Sequence, residues 1–267
     1  ITLLRVYRLL INHSRVTAKK HTISRYGQVS ANIENKTKLN LLKHMSSTRK
    51  KNYAPKIGNA ASLVIYRSKN GNHEVLMGRR GSKARFKPGV YVFPGGMVER
   101  ADGRAAPLKK LAKKHIKHMA VAGSDYRANI LAMTAVREAY EEVGLILGSK
   151  GNIGQVNQVS WNTFRELGIS PDLSKLDYLG RAITPSFQPI RFHARFFSIP
   201  YELLTGKIAG DGELEDVRWI KVDKYRDYEM MKVQHMIIET LKEKLLTGKT
   251  EPKKLFFKWN KINILPS

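Results

Sequence analysis

The sequence predicts an α+β domain in which a mixed β-sheet lies between helices, and three observations lead to this prediction. Short apolar runs rich in β-branched residues stand on both sides of a long segment with helical periodicity. The pair Asn70-Gly71 separates the first two runs, and Asn-Gly is the strongest short-range signal of a β-hairpin. A last helical pattern covers residues 230–246. Strands that flank one helix and precede another favour a layered αβα arrangement.

The predicted strands are short, and Gly or Pro residues bound several of them. We expect them at 60–66, 74–78, 91–93, 178–183, 192–197 and 217–220. Pro94-Gly95-Gly96 ends the third strand, and Pro185 and Pro189 mark the turn between the fourth and the fifth.

Four helices are predicted from apolar residues at helical spacing. They cover 108–119, about 125–143, 161–167 and 230–246. The first is amphipathic and its polar side is covered by lysines. Ser124 or Asp125 is placed to cap the second helix, and Gly144 is placed to end it in a left-handed conformation.

The composition limits the kinds of partner and site. The formal charge of +26 over 267 residues favours polyanionic partners, although codon bias towards Lys, Ile and Asn would also produce it. The absence of cysteine excludes disulfides, thiolate metal sites and cysteine nucleophiles. No apolar run approaches the roughly 20 residues that span a bilayer, so we predict no membrane span.

The chain divides into three parts. Residues 1–57 form a basic extension with no acidic residue before Glu34, residues 58–248 form the domain, and residues 249–267 form a basic C-terminal tail. Three interpretations of the extension are open: an organellar transit peptide, a basic surface-binding tail, or a segment that is not native, since the first methionine is Met45. We expect a cytoplasmic location for a bacterial protein, and the mitochondrial matrix if the extension is a transit peptide.

The most informative motif is a cluster of glutamates on the second helix. Glu138, Glu141 and Glu142 stand at i, i+3 and i+4, so their carboxylates project from one face and repel one another. A solvated helix face would also give this pattern. A divalent cation explains it better, because hard cations such as Mg²⁺ prefer carboxylate oxygens. The glycines of Pro94-Gly95-Gly96 allow backbone to approach such a site closely.

Residues 137–145, Arg-Glu-Ala-Tyr-Glu-Glu-Val-Gly-Leu, resemble the second half of the Nudix box, R-E-U-x-E-E-x-G-U, and Gly96 resembles its opening glycine. The resemblance covers about residues 60–246 and implies the Nudix αβα sandwich with a mixed sheet between helices.

One departure interrupts the box. The pattern places a glutamate six positions after Gly96, where this chain has Asp102, and an arginine eight positions later. Arg137 follows 35 positions later (137 − 102), which leaves an insertion of 27 residues at about 103–129. Such an insertion is similar to a subgroup of Nudix proteins, the peroxisomal coenzyme A diphosphatase type and its bacterial relatives. Residues 93–102 and 182–185 also resemble that subgroup.

The resemblance implies a role for each matching residue. Arg137 orients the carboxylates, Glu138 is the general base or a metal ligand, and Glu141 belongs to both the catalytic and the metal-binding set. Glu142 and the carbonyl of Gly95 complete the ligands of Mg²⁺ or Mn²⁺. The implied reaction is attack of a metal-activated water on one phosphorus of a P–O–P bridge.

A further acidic ligand often comes from a late loop in this family, and Glu213 and Glu215 are the candidates, with Glu213 preferred. Phosphate-rich ligands also need cations, and Arg79, Arg80 and Arg195 are the candidates. Phe187 or Phe192 is placed to stack on a base, and each of these five residues also suits an ordinary surface or core role. A packing or surface role suits His193 better than a catalytic one.

The predicted function is hydrolysis of a nucleoside diphosphate linked to another moiety, with coenzyme A-like or dinucleotide substrates favoured. The alternative is a Nudix-fold module that binds RNA or the ribosome and has little or no hydrolase activity. The excess of positive charge and the tail residues Lys253, Lys254, Lys258 and Lys261 favour a polyanion as partner. The intact glutamate motif favours the enzyme.

Overall fold

A computed structural model of the chain describes residues 55–84, 87–209, 212–248, 255–258 and 261–264. These residues belong to one structural unit that runs from Ala54 to Ser267. The predicted extension, 1–57, lies outside the described residues except for its last three positions. Its three interpretations therefore stay open.

The predicted hairpin is confirmed at the start of the domain. Strand β1 (Ile57–Lys69) pairs with β2 (Asn72–Arg80) in antiparallel register, with Lys69 opposite Asn72. Asn70 and Gly71 both have positive φ, 50° and 74°, as a two-residue type I′ turn requires. Both strands are longer than the apolar runs that predicted them, because their exposed ends carry polar residues.

Eleven further strands follow among the described residues. They are β3 (Tyr91–Val92), β4 (Gly95–Met97), β5 (Leu145–Ile146), β6 (Ser149–Lys150), β7 (Ile169–Ser170), β8 (Asp177–Ile183), β9 (Arg191–Pro200), β10 (Thr205–Gly206), β11 (Leu214–Lys221), β12 (Leu255–Lys258) and β13 (Lys261–Ile264). The main sheet has the order β11-β2-β1-β9-β8-β12-β13, and β3 and β4 pair with β2 and β1. The pairs β1–β9 and β8–β12 are parallel, so the sheet is mixed as predicted.

Helices cover both faces of this sheet. They are α1 (Lys113–Ile116), α2 (Asp125–Val143), α3 (Val159–Glu166) and α4 (Lys232–Thr247). Leu63 and Ile65 of β1 pack in one apolar cluster with α2, whereas Val64 packs in a second cluster with α4. This alternation along one strand gives the αβα layers, and the predicted fold class is confirmed.

Helix α2 begins and ends where its sequence predicts. The Ser124 hydroxyl accepts a hydrogen bond from the N–H of Arg127 at 3.2 Å, so Ser124 rather than Asp125 is the N-cap. Gly144 adopts φ 70°, and its N–H donates to the carbonyl of Tyr140 at 2.9 Å. These caps determine where the helix stops, and hence which face carries its glutamates.

The helix predicted at 108–119 is wrong in extent, because only Lys113–Ile116 is α-helical. Tertiary hydrogen bonds replace the helical ones before it: the N–H of Leu108 donates to Pro171, and the N–H of Leu111 donates to the Asn129 side chain. Of the apolar positions that predicted this helix, Leu111, Ile116 and Met119 are buried, whereas Leu108 is 42% exposed. The hydrophobic pattern thus predicted most of the buried positions correctly and the conformation incorrectly.

The predicted C-terminal tail is also corrected in part. Strands β12 and β13 form an antiparallel hairpin, and β12 extends the main sheet beside β8. Neither strand was predicted from the sequence. Among the described residues, no helix has the length and apolar character needed to cross a membrane.

Candidate functional site

The three glutamates of α2 lie against the short strand β4. The N–H of Gly95 donates to Oε2 of Glu142 at 2.7 Å. A Cβ atom on Gly96 would lie 2.4 Å from Oε1 of Glu138, a distance that no real side chain tolerates. Gly96 therefore leaves room for the carboxylate of Glu138, whereas a Cβ on Gly95 would collide with Ser62 and with the carbonyl of Ala61 on β1. A ligand role for the carbonyl of Gly95 stays a prediction.

Arg137 lies buried at the centre of the acidic cluster. Its Nη1 is 2.9 Å from Oε1 of Glu138 and donates to Oε2 of Glu141 at 2.7 Å. Its Nη2 donates to the carbonyl of Met97 at 2.9 Å, which ties α2 to the end of β4. One guanidinium thus contacts two glutamates and the strand that faces them. This is the arrangement expected of a residue that orients carboxylates.

Asp102 binds the opposite edge of the same guanidinium. Its carboxylate accepts hydrogen bonds from Nε and Nη2 of Arg137 at 2.8 and 3.1 Å. It also accepts from the N–H of Glu99, the hydroxyl of Thr134 and the indole N–H of Trp161. Asp102 is 1% exposed, so these five donors compensate for its burial. The shorter acid therefore reaches Arg137, although the Nudix pattern has glutamate here.

Glu141 is held by a second element. Its Oε1 accepts from the hydroxyl of Ser160 at 2.5 Å and from Nε2 of Gln158 at 2.9 Å. Gln158 is the N-cap of α3, and Ser160 lies in the first turn of that helix. The sequence did not predict Gln158, Ser160 or Trp161 as part of the site. They stand about 20 residues after the motif and are ordinary residues for a helix start.

Burial raises the pKa values of two of the glutamates. The pKa of Glu142 rises to about 9, because burial outweighs the hydrogen bond from Gly95 and the charge of Glu138 adds to it. The pKa of Glu138 rises to about 7 through burial, against the opposing charge of Arg137. Burial alone would lower the pKa of Arg137, but its contacts with Asp102, Glu138 and Glu141 raise it overall. The cluster therefore retains protons at neutral pH while no cation is bound.

These residues fit a divalent cation, although they do not present a ready-made cage. Within the part of the chain that the structure describes, no three acidic or histidine side chains already converge as ligands. The carboxylates instead face Arg137 and the N–H of Gly95. Buried carboxylates that hold protons at neutral pH form a site where a cation can take the place of those protons. The donors are all oxygens, which suits Mg²⁺ or Mn²⁺.

The late-loop candidates Glu213 and Glu215 occupy different surroundings. Glu213 lies just before β11, with Oε1 at 3.7 Å from Nη2 of Arg80, and its charge is among those that raise the pKa of Glu142. Glu215 lies 3.5 Å from Nη2 of Arg79. The geometry therefore agrees with the preference for Glu213 as the further ligand, a role that stays a prediction.

The residues predicted to contact substrate differ in how far they are exposed. Arg79 is about half exposed and pairs with Glu215 on β11, whereas Arg80 is less exposed and its charge helps to lower the pKa of Glu142. Phe187 is 72% exposed on the turn between β8 and β9. Phe192 is half-buried on β9. The structure leaves Arg79, Arg80 and Phe187 accessible to a ligand.

Arg195 corrects the prediction of a substrate contact. It is 2% exposed, and it donates to the carbonyls of Met119 and His193 and to Oδ1 of Asn59 at 3.1, 2.7 and 2.7 Å. The guanidinium therefore fastens the segment before α2 to β9. Burial lowers the pKa of His193 to about 3, and the charges of Arg195 and Arg181 contribute. His193 is neutral at physiological pH, as a packing role requires.

Comparisons with known proteins agree with the fold. No protein-family model matches the chain. The chain is 27% identical over 177 residues to the Caenorhabditis elegans protein named "Putative nudix hydrolase 7", a match that covers 61% of this chain and 50% of that protein. It therefore spans about half the length of this curated relative.

Two solved structures are also similar. A crystal structure of a NUDIX hydrolase from Alicyclobacillus acidocaldarius is 26% identical with a TM-score of 0.55, covering 70% of this chain and 91% of that one. The NUDIX domain of Shewanella oneidensis NrtR, solved with ADP ribose, is more distant, with 13% identity and a TM-score of 0.42 over 76% of this chain and 97% of that one.

Proposed function

Because the chain has the Nudix fold and resembles Nudix hydrolases in sequence, we propose that it is a metal-dependent hydrolase of pyrophosphate bonds in nucleoside diphosphate derivatives. The observation that carries this proposal is the buried Arg137, which binds Asp102 on one edge and Glu138 and Glu141 on the other. A surface glutamate cluster would need no such buried support. A set of carboxylates that must meet a cation and a phosphate does need it.

The acidic side chains would hold a divalent cation between α2 and β4. Glu141, Glu142, Glu213 and the Gly95 carbonyl are the proposed ligands. Once bound, Mg²⁺ or Mn²⁺ lowers the pKa of a water molecule and neutralises charge on phosphate oxygens. Release of the protons now held by the cluster would accompany binding, so affinity would increase with pH.

Glu138 would act as the general base. Its carboxylate is 12% exposed and lies beside Gly96 and Nη1 of Arg137. A base works best when its pKa is close to the working pH, and burial raises the pKa of Glu138 to about 7. Arg137 keeps this carboxylate oriented while it accepts the proton of the attacking water.

The substrate would lie along the surface that Arg79 and Arg80 share with Glu213 and Glu215. Two guanidinium groups at the end of β2 suit the oxygens of a diphosphate. Phe187 is exposed and suits stacking against a base. The segment between Asp102 and Arg137 supports the narrower proposal of a coenzyme A-like or dinucleotide substrate, because such a segment interrupts the box in that subgroup.

A substrate panel tests the proposal. The purified chain is incubated with coenzyme A, ADP-ribose, NADH, dinucleoside polyphosphates and capped RNA, each with Mg²⁺ or Mn²⁺, beside Glu141→Gln. We expect turnover of at least one nucleoside diphosphate derivative and its loss in the variant. A 3′,5′-ADP product from coenzyme A would support the subgroup. Cleavage of another dinucleotide alone would reject the subgroup only, and no cleavage of any member would reject the enzyme.

A second candidate function is RNA binding, and the segment before α2 supports it. No acidic residue stands between Asp102 and Asp125, and six exposed cations lie in that interval: Arg104, Lys109, Lys110, Lys113, Lys114 and Lys117. Lys109 lies 3.5 Å from Asp172. A surface with this charge suits a phosphate backbone.

Charge reversal of this surface separates the two functions. Binding of a fluorescent single-stranded RNA is measured in EDTA for the wild type and for Lys113→Glu with Lys117→Glu. If the chain is an RNA-binding module, RNA binding would weaken at least about tenfold. Equal binding by both proteins would argue against this function.

A further inference from the structure

The first turn of α3 contacts two acidic residues of the motif at once. Ser160 and Gln158 donate to Glu141, and the Trp161 indole N–H donates to Asp102 at 3.1 Å. Trp161 is fully buried and Ser160 is 5% exposed. These contacts join the start of α3 to Glu141 on α2 and to Asp102 before it, over 17 to 59 positions of sequence. The start of α3 therefore contacts the acidic residues of the site directly.

The side chain of Gln158 has one orientation that satisfies both of its neighbours. Its Oε1 accepts from the backbone N–H of Trp161 at 2.9 Å, and its Nε2 donates to Oε1 of Glu141. The reverse orientation would place two donors together at Trp161 and two acceptors together at Glu141. Capping of α3 therefore fixes the amide group that binds Glu141.

The hydrogen bonds of Glu141 leave little of its carboxylate available. A carboxylate offers about two acceptor positions on each oxygen. Oε1 accepts from Ser160 and Gln158, which fill it, whereas Oε2 accepts from Arg137 alone. One acceptor position remains, and it is on Oε2.

We propose that Gln158 and Ser160 are positioning residues that restrict Glu141 to a single ligand oxygen, Oε2, in the metal site. This inference rests on the proposed function. Without the two donors, Arg137 alone holds Glu141, and Oε1 becomes available as a second ligand oxygen. Partners of this kind, which hold a ligand without touching the metal, typically change metal affinity by about 10- to 100-fold when removed.

Two variants remove the donors by different means. Ser160→Ala deletes the hydroxyl, and Ser160→Thr restores it. Gln158→Asn keeps an amide that can cap α3, but it is one methylene too short to reach Glu141. The matched control is Thr163→Val on the same helix, since Thr163 contacts Tyr140 of α2 at 3.4 Å and no acidic residue of the motif.

The full-length chain is titrated with Mn²⁺ by calorimetry, and the electron paramagnetic resonance spectrum of bound Mn²⁺ is recorded. We expect Ser160→Ala and Gln158→Asn each to weaken Mn²⁺ binding about tenfold and to alter the spectrum. Thr163→Val should match the wild type, and Ser160→Thr should return to it. Melting temperatures in EDTA show which variants are folded. If Ser160→Ala does not fold, Gln158→Asn alone provides the test.

The outcomes separate this inference from the proposed function. If the wild type binds Mn²⁺ and hydrolyses a substrate while both variants bind Mn²⁺ as the wild type does, the positioning role is wrong and the function stands. A wild type that neither binds Mn²⁺ nor hydrolyses any substrate overturns both. A loss of affinity in Thr163→Val equal to that in Ser160→Ala would attribute the effect to general loosening of α3 and overturn the inference.

Discussion

Arg137 and Asp102 pair edge to edge, with Nε and Nη2 of the arginine at 2.8 and 3.1 Å from the two carboxylate oxygens. Both side chains are buried. A bidentate pair of this kind fixes the plane of the guanidinium, so the remaining Nη1 points at Glu138 and Glu141. The orientation of the glutamates therefore depends on an acid that does not itself belong to their helix.

Replacing Asp102 with asparagine should destabilise the protein. The change removes the charge that faces Arg137 across two hydrogen bonds, and breaking a buried pair from one side is costly. We expect a loss of at least about 2 kcal/mol in the free energy of unfolding, measured with urea. Glu99→Gln is the control, because Glu99 is half exposed and 3.8 Å from Arg137. Equal stability of Asp102→Asn and Glu99→Gln would show that Glu138 and Glu141 alone compensate for the buried charge of Arg137.

The metal-free protein should lose stability as pH rises. The folded-state pKa values of Glu142 and Glu138, about 9 and about 7, lie above the value of 4.5 for an unperturbed glutamate. Through these two glutamates the folded state holds more protons than the unfolded state between about pH 4.5 and 9, and their contribution to stability falls across that window. His193 and His235, whose pKa values are lowered, oppose this fall only below the ordinary histidine pKa of 6.5.

Melting temperatures in EDTA from pH 5 to pH 9 would measure this fall. Glu142→Gln stays neutral throughout, so its curve should be flatter than that of the wild type, above all in the upper part of the window. Saturating Mn²⁺ should flatten the wild-type curve as well. A melting temperature that rises between pH 7 and pH 9 in EDTA, where the histidines are neutral in both states, would contradict the assignment.

Gly96→Ala should impair activity more than folding. Its Cβ would lie 2.4 to 2.7 Å from the carboxylate atoms of Glu138, which must move. We expect kcat to fall at least about tenfold, within the range that general-base catalysis contributes. Gly148→Ala is the control, since its Cβ would meet only the Ile169 side chain, at 2.9 Å or more. A kcat for Gly96→Ala equal to that of the wild type would contradict the assignment of Glu138 as the general base.

Arg195→Met should reduce stability, whereas Arg79→Met should weaken substrate binding. Loss of the buried Arg195 leaves the carbonyls of Met119 and His193 without their donor, and we expect it to cost about 2–3 kcal/mol in unfolding free energy. Loss of Arg79, which is 47% exposed, should leave stability within about 0.5 kcal/mol and raise the KM for the nucleotide. A raised KM in folded Arg195→Met would restore its predicted contact with substrate.

The sequence predicted those parts of the molecule whose signals are local. Asn70-Gly71 specified the hairpin, and Ser124 and Gly144 specified both ends of α2, because turn and cap preferences depend on a few adjacent residues. The spacing of Glu138, Glu141 and Glu142 placed three carboxylates on one face for the same reason.

Features that depend on distant contacts were not predictable. Arg195 has the charge of a phosphate ligand, and nothing near it in sequence shows that carbonyls of 119 and 193 surround it. Gln158 and Ser160 belong to the site only because α3 packs against α2. The segment 108–119 has helical periodicity, but its backbone finds partners in Pro171 and Asn129 instead.

The long connection between Asp102 and Arg137 stabilises the fold by more than its length costs. Closing 35 residues rather than the eight of the Nudix pattern costs only about 1 kcal/mol of chain entropy, so the additional length by itself destabilises the fold little. The connection now buries Leu111, Ile116, Met119 and Val121, each contributing on the order of 1.5–3 kcal/mol. A deletion that shortened the connection to the length of the Nudix pattern would therefore lose far more free energy of apolar burial than it regained in chain entropy. The residues that the connection buries therefore maintain its present length.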